Sequence, residues 1–188
     1  MKNMLKIIAG KYKGLKLSLV PSIKTKPTSH LIRKVLFDTI GNLHDMKKVL
    51  DLFSGSGACA FEALSRDAQS IYLVDNLWIA YQTMKKNKKK LNLTNMQAQL
   101  FYGNAFKILC RFIEQKLIFD LIILDPPYEK YSYITLFKNL DIITTLKSWV
   151  VYETFHRNLL PQNIYSFSLI KNKKYGSKKL YFYQKIYV

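Results

Sequence analysis

Four consecutive residues, Asp125, Pro126, Pro127 and Tyr128, combine groups that could hold and activate a flat amino group. They follow an apolar run at positions 121–124, and a strand made of that run would end at the first proline, which also keeps the preceding residue extended. Asp125 and the carbonyl of Pro126 could accept the two hydrogens of an amine, while Tyr128 could stack on the base that carries it. Such hydrogen bonds would localise the nitrogen lone pair and stabilise the positive charge that develops during attack. We predict Asp125, Pro126 and Tyr128 as the catalytic residues.

A glycine-containing turn between a strand and a helix is the second group of interest. Gly55 and Gly57 would let the backbone approach a ligand closely, and Asp75 follows at the spacing at which a carboxylate reaches a ribose hydroxyl pair. The same glycines fit the dinucleotide pattern GxGxxA, so they do not by themselves separate NAD from S-adenosylmethionine. Asp51, just before them, suits an ammonium group and not a pyrophosphate, and the segment ending at Tyr128 has no role in hydride transfer. Both features favour S-adenosylmethionine, and the chemistry predicted is methyl transfer to an exocyclic amine.

Length, cysteine content and hydropathy exclude several classes of protein. A chain of 188 residues has the size of one domain and can bury roughly 70% of its unfolded surface. Its two cysteines, Cys59 and Cys110, form neither a metal-binding spacing nor a disulfide framework, so we expect a reducing cytoplasm and no metal. No apolar run has the length of a signal sequence or a membrane span. We therefore expect a cytoplasmic protein with no membrane partner.

The net charge of +18 is supplied mainly by the two ends of the chain. Residues 1–48 carry 11 basic and 2 acidic side chains, and residues 171–188 carry 6 basic and none acidic. The 122 residues between them carry 13 basic and 10 acidic side chains, and five of those basic residues lie in positions 85–90. A polyanion is the natural partner, since each lysine or arginine that meets a phosphate releases counterions. The alternative is a lysine-rich surface that is merely solvated, and residues 85–90 fit both interpretations equally.

Alternation of apolar runs with amphipathic stretches from residue 48 onward is typical of parallel βαβ units. The predicted strands are 48–53, 70–75, 97–102, 119–124 and 148–153. The predicted helices are 57–66, 77–91, 104–115 and 131–145. Aromatic and β-branched runs at 165–171 and 180–188 then predict an antiparallel hairpin. Asn104 and Ala105, just past the third strand, could contact an adenine edge, although a helix N-cap is an equally good interpretation of Asn104.

The first 47 residues predict a separate basic extension ahead of a domain at 48–188. Two glycine-punctuated apolar runs at 5–10 and 14–17 indicate a hairpin, and a start signal at Pro27 predicts a helix. The apolar face of that helix is predicted from its spacing to consist of Leu31, Val35, Leu36 and Ile40. In this extension we predict five residues that contact the polyanionic partner: Lys11, Lys13, Lys26, Thr28 and Arg33.

Several segments together resemble the RsmD family of bacterial 16S ribosomal RNA (guanine-N2) methyltransferases. The segments are 7–14, 27–28, 33–37, 51–58, 62–66, 119–121, 125–128 and 175–177. The resemblance implies an α/β, Rossmann-like class I methyltransferase with a mostly parallel seven-stranded sheet and an N-terminal hairpin-and-helix extension. It implies S-adenosyl-L-methionine as cofactor, S-adenosyl-L-homocysteine as product, and a guanine of small-subunit rRNA as substrate, within an assembled particle. We expect the protein to act as a monomer.

The resemblance also implies which residues surround the two ligands. Asp125, Pro126 and Tyr128 would hold the guanine. The cofactor would contact eight residues: Asp51, Phe53, Gly55, Gly57, Asp75, Asn76, Asn104 and Ala105. Two alternatives stay open, because the amine-binding segment is shared with adenine-N6 methyltransferases acting on RNA or DNA, and because a ribosome-assembly RNA-binding protein could retain this fold without catalysis.

Overall fold

The computed structural model describes residues 5–21, 30–127 and 131–187. The N-terminal extension contains the short antiparallel pair β1 (Leu5–Lys6) and β2 (Lys16–Leu17), followed by helix α1 (His30–Ile40). The remaining helices are α2 (Ala58–Ser65), α3 (Trp78–Lys90), α4 (Ala105–Glu114) and α5 (Tyr133–Ile142). None of the helices in these described ranges combines the length and the apolar character needed to cross a bilayer.

Among the described residues, an eight-stranded sheet forms the centre of the fold. Its strands are β3 (Lys48–Asp51), β4 (Ser70–Asp75), β5 (Ala98–Tyr102), β6 (Phe119–Leu124), β7 (Thr144–Phe155), β8 (Asn163–Ile164), β9 (Phe167–Tyr175) and β10 (Lys178–Lys185). The spatial order is β5-β4-β3-β6-β7-β10-β9-β8, in which β3 to β7 pair in parallel and the last three strands join antiparallel. The predicted α/β fold with a C-terminal hairpin is confirmed. The sheet has one strand more than predicted, because the two-residue β8 pairs with the start of β9.

Two apolar cores lie on opposite faces of this sheet. On β4, Ile71 and Leu73 face the core formed with α1, α2 and α3, while Tyr72 and Val74 face the core formed with α4 and α5. Successive strand residues point to opposite faces, so a strand covered on both sides must be apolar throughout. The double covering explains why the strands appear in the sequence as continuous apolar runs.

The extension docks on α2 through a buried ionic cluster. Glu62 is fully buried, and its carboxylate accepts hydrogen bonds from the backbone N–H groups of Ile8 (2.8 Å) and Ala9 (3.0 Å). Arg33 of α1 pairs with the same carboxylate at 3.4 Å and donates to the carbonyl of Lys6 at 2.9 Å. Gly10 has a φ of +78°, and a Cβ there would lie 1.6 Å from the carbonyl oxygen of Ser65. The hairpin can therefore reach α2 this closely only with glycine at position 10.

The buried face of α1 differs from the predicted one. Its buried residues are Ile32, Arg33, Leu36 and Phe37. Leu36 is buried as predicted, and Val35 and Ile40 are half-buried and pack against the core, whereas the prediction of Leu31 is wrong because this residue is 54% exposed. The buried face also includes the cationic Arg33, because its pairing with Glu62 makes it part of the interior. With Arg33 placed inside, positions 32, 33, 36 and 37 form the usual face of a helix.

Candidate active site

Three aspartates meet at one edge of the sheet. Asp51, Asp75 and Asp125 stand at or just beyond the carboxyl ends of β3, β4 and β6, which are neighbours in the order β4-β3-β6. From β3 the chain proceeds outward to β4 and β5, then returns to the other side of β3 with β6. Ligands of open α/β sheets bind at such a reversal of strand order. A cavity of about 560 Å³ lies there, and all three aspartates line it.

The glycine turn is held in place by hydrogen bonds to β4. The Ser54 backbone N–H donates to the carbonyl of Val74 at 3.0 Å, and the Val74 N–H donates to Ser54 Oγ at 3.1 Å. The Gly55 N–H donates to Asp75 Oδ2 at 2.8 Å. Gly57 has a φ of +79°, and a Cβ there would lie 2.6 Å from the side chains of Leu73 and Phe61. Gly57 thus permits close packing beneath the turn, while its contact with a cofactor stays a prediction.

The cavity is acidic although the protein is strongly basic. Asp51, Asp75, Asp125 and Glu153 line it, and Lys178 is the basic residue among its described lining side chains. Burial raises the pKa of Asp51 to about 7, opposed by the hydrogen bond that its carboxylate accepts from the Ala60 N–H at 3.3 Å. Burial also raises the pKa of Asp75. Carboxylates kept together and out of water are stabilised by a cationic ligand.

Asp125 shares Lys178 with Glu153. The Lys178 ammonium lies 3.6 Å from Asp125 Oδ2 and forms an ion pair with Glu153. Burial raises the pKa of Asp125, and Lys178 opposes the rise. Burial together with the nearby charge of Asp125 raises the pKa of Glu153 to about 7. The sequence reasoning missed Glu153 and Lys178, although an acid at the end of an apolar strand and a lysine just after a hairpin turn were visible signals.

Five of the eight predicted cofactor residues line the cavity. They are Asp51, Phe53, Gly55, Asp75 and Asn76. Asn104 caps α4, because its Oδ1 accepts the N–H groups of Phe106 at 3.0 Å and Lys107 at 3.4 Å, and Ala105 is buried at the start of that helix. An adenine contact by Asn104 would have to use its remaining amide group, and it stays a prediction.

The predicted RNA-binding residues have different positions. Lys11 and Lys13 are exposed in the turn of the N-terminal hairpin. Arg33 is only 1% exposed and is engaged by Glu62 and the Lys6 carbonyl, so its prediction as an RNA contact is wrong. Lys26, Thr28 and the catalytic candidate Tyr128 lie outside the described residues.

Pro126 is buried at the end of β6, beside Asp125 in the cavity wall.

Solved structures identify the class to which this fold belongs. The structure of Escherichia coli yhhF is 27% identical, with a TM-score of 0.84, and the match covers 97% of this chain and 98% of that one. The structure of SMU.776, a protein solved in complex with SAH, has a TM-score of 0.68 at 17% identity, covering 82% of this chain and 48% of that one. The chain has the Rossmann-like class I methyltransferase fold, as the family resemblance implied.

Sequence relatives then identify the family. Residues 5–184 match the family model described as conserved hypothetical protein 95. The ribosomal RNA small subunit methyltransferase D of Buchnera aphidicola subsp. Baizongia pistaciae is 32% identical over 184 residues, which cover 95% of this chain and 89% of that protein. The chain belongs to this family, and the predicted membership of the RsmD family is confirmed.

Proposed function

We propose that this chain transfers a methyl group from S-adenosyl-L-methionine to the exocyclic N2 amine of a guanine in small-subunit ribosomal RNA. The observation that carries the proposal is the acidic cavity at the switch point of a basic protein. Four of the chain's 12 acidic residues line that one cavity. The name of the Buchnera relative supports rRNA as the substrate, and the charge at the two ends of this chain agrees with it.

The residues at the strand ends fit this cofactor better than a dinucleotide. The volume of about 560 Å³ is that of a typical small-molecule site. Asp51 suits the cofactor's ammonium group. Asp75 Oδ2 accepts the Gly55 N–H and Oδ1 accepts the Leu77 N–H, and a carboxylate with about four lone-pair sites can also accept hydrogen bonds from ribose hydroxyls. A pyrophosphate would instead face several carboxylates. When bound, the cofactor supplies an electrophilic methyl group on a positively charged sulfur.

Asp125 has three tasks in the proposed reaction. Its carboxylate and the Pro126 carbonyl accept hydrogen bonds from the target amine, which orients the nitrogen lone pair toward the methyl group. The nitrogen gains positive charge as it forms its new bond, and a nearby carboxylate stabilises that charge more in the transition state than in the ground state. Lys178 favours the ionised form of Asp125. Because burial raises the pKa of Asp125, this carboxylate is also suited to accept the proton that the methylated amine must lose.

The test is methyl transfer to small ribosomal subunits that lack the modification, with labelled cofactor and mapping of the modified base. We expect Asp125→Ala to lower the transfer rate by about 10²–10³-fold with cofactor affinity retained in calorimetry, because it removes a transition-state contact. Asp67→Asn serves as the control, because it also removes one negative charge but at an exposed residue. Near-normal turnover of the Asp125 variant would contradict its role, and methyl on an adenine would contradict the choice of base.

A further inference from the structure

A second concave surface lies along α3, away from the active-site cavity. It is a groove of about 780 Å³ between α3, the loop at 91–97 and the edge strand β5. Its lining residues are all different from those of the active-site cavity. Lysines 85, 88 and 89 are among them, and the described lining includes no acidic side chain. We call this surface the α3 groove.

Two of these lysines are available to a ligand. Lys88 donates to Asn95 Oδ1 and to the Ala98 carbonyl, both at 2.6 Å, and so fixes the loop to the helix. Lys85 and Lys89 are exposed and are four residues apart, which places them on one face of α3. They lie about one turn apart along the groove, so each can meet a separate phosphate of an extended strand.

An aromatic cluster continues the lysine row toward the active site. Tyr81 lines the α3 groove, with the Lys85 ammonium 5.8 Å from its ring centroid. The Tyr81 ring lies 5.5 Å from that of Trp78 and 6.0 Å from that of Tyr102. Trp78 is 56% exposed and Tyr102 51% exposed. Large rings that stay this exposed beside lysines form the combination that single-stranded nucleic acids use, namely stacking surfaces next to a positive groove.

We propose that the α3 groove binds a single-stranded segment of the substrate rRNA, with phosphates at Lys85 and Lys89 and a base stacked on Trp78, the more exposed of the two outer rings. The inference rests on the proposed rRNA substrate. Strand β5 is three strands from β6, or about 14 Å at the usual spacing, so this segment flanks the target nucleotide rather than containing it. Leu77 lines the active-site cavity and directly precedes Trp78, so the aromatic cluster begins next to that cavity.

The lysines are tested by reversing their charge. Lys85→Glu/Lys89→Glu is compared with Lys116→Glu/Lys138→Glu, which changes the net charge equally on exposed residues that belong to the opposite, α4–α5 side of the sheet. Affinity for a 16S rRNA fragment is measured against salt concentration. Loss of two single-strand phosphate contacts should lower the salt slope by about 1.4 in the first variant and leave it unchanged in the second. Cofactor affinity, measured by calorimetry, should stay normal in both.

Trp78 offers a direct reporter, because the chain has two tryptophans and Trp149 is the other. In a Trp149→Phe background, RNA should quench the emission of Trp78, since the proposed base stacks on it. Trp78→Ala should weaken binding of the fragment by about 5- to 150-fold, the range that stacking on one aromatic residue provides. Unquenched emission with normal RNA binding would place the RNA elsewhere and overturn the proposal.

The outcomes separate this proposal from the proposed function. If both double lysine variants lose the same affinity for the rRNA fragment, the loss is a general effect of charge. This result would overturn the proposal that the α3 groove binds rRNA. If the groove variants bind free rRNA normally but bind whole subunits more weakly, the β5 edge contacts a protein partner. This result would also overturn the proposal that the α3 groove binds rRNA. If the wild-type protein binds the fragment through this groove yet methylates no subunit, the groove stands and the proposed reaction fails. If subunits are methylated and the groove variants behave normally, only the groove fails.

Discussion

Replacing Asp51 with asparagine is expected to stabilise the ligand-free protein and to weaken its binding of the cofactor. Asp51 is 4% exposed, and burial raises the pKa of its carboxyl group to about 7 from an ordinary value of 3.8. That difference corresponds to about 4 kcal/mol for keeping the group ionised in the folded state at pH 8. Asparagine keeps an oxygen for the Ala60 N–H and carries no charge. Asp75 and Asp125 also titrate nearby, and changes in their protonation offset part of the cost of ionising Asp51. We therefore expect Asp51→Asn to stabilise the folded protein by about 2 kcal/mol, half of this energy.

The effect has a definite pH dependence. Between about pH 4 and pH 7 the folded protein keeps a proton on Asp51 that the unfolded chain has released, so the folded state loses stability as the pH rises through this window. The loss is complete from about pH 7 upward and absent near pH 4. The advantage of Asp51→Asn should therefore be largest at pH 8, where about 2 kcal/mol raises the melting temperature of a chain of this size by about 4–8 °C, and should vanish near pH 4.

Thermal unfolding at a series of pH values, together with calorimetry of cofactor binding, measures both parts of the prediction. We expect cofactor affinity at pH 8 to fall by about 10- to 150-fold in Asp51→Asn, since the variant loses a hydrogen bond between charged groups. Asp67→Asn removes an exposed carboxylate, also at a left-handed position that asparagine tolerates, and should change neither quantity. A melting temperature for Asp51→Asn that is raised equally at pH 4 and pH 8, or not at all, would refute the reasoning.

Two further substitutions test the parts that surround the site. Glu62→Gln should destabilise the protein by about 3–5 kcal/mol, because it leaves the buried guanidinium of Arg33 without its counter-charge. Thermal unfolding measures this effect, with Asp38→Asn, on the exposed side of the same ion-pair network, as the control. An equal loss of stability in the two variants would contradict the prediction. Asn104→Ala should cost about 1 kcal/mol by removing the N-cap of α4. Asn104→Asp should restore the cap, and unchanged cofactor affinity in Asn104→Ala would dismiss an adenine contact by this side chain.

The strands and the site at their ends could be predicted because both depend on local signals. Apolar runs such as 121–124 end at a proline or a glycine turn, and parallel strands bring their carboxyl ends to one edge. Asp51, Asp75 and Asp125 could therefore be assigned to one site although 74 positions separate the first from the last.

Interactions between distant charged residues could not be predicted in the same way. Arg33 has the appearance of a surface residue in the sequence, because the carboxylate that buries it, that of Glu62, lies 29 positions away. Glu153 enters the site when β7 pairs with β6, and Lys178 enters it when β10 pairs with β7. The two-residue β8 has no periodicity of its own, since it exists only through its pairing with β9. Each of these depends on tertiary contacts that local sequence does not encode.

The basic extension and the acidic cavity are joined through one buried side chain. Asn87 of α3 is fully buried; its Oδ1 accepts the Ser18 N–H at 2.7 Å, and its Nδ2 donates to the carbonyls of Ser18 at 3.0 Å and Ser56 at 2.9 Å. Ser18 belongs to the extension and Ser56 to the glycine turn. Leu19 and Val20, which follow Ser18, line the cavity wall. A buried amide with all of these bonds made is costly to separate from its partners. The described part of the extension therefore contributes Leu19 and Val20 to the wall of the active-site cavity, and Asn87 links this part of the extension to the glycine turn.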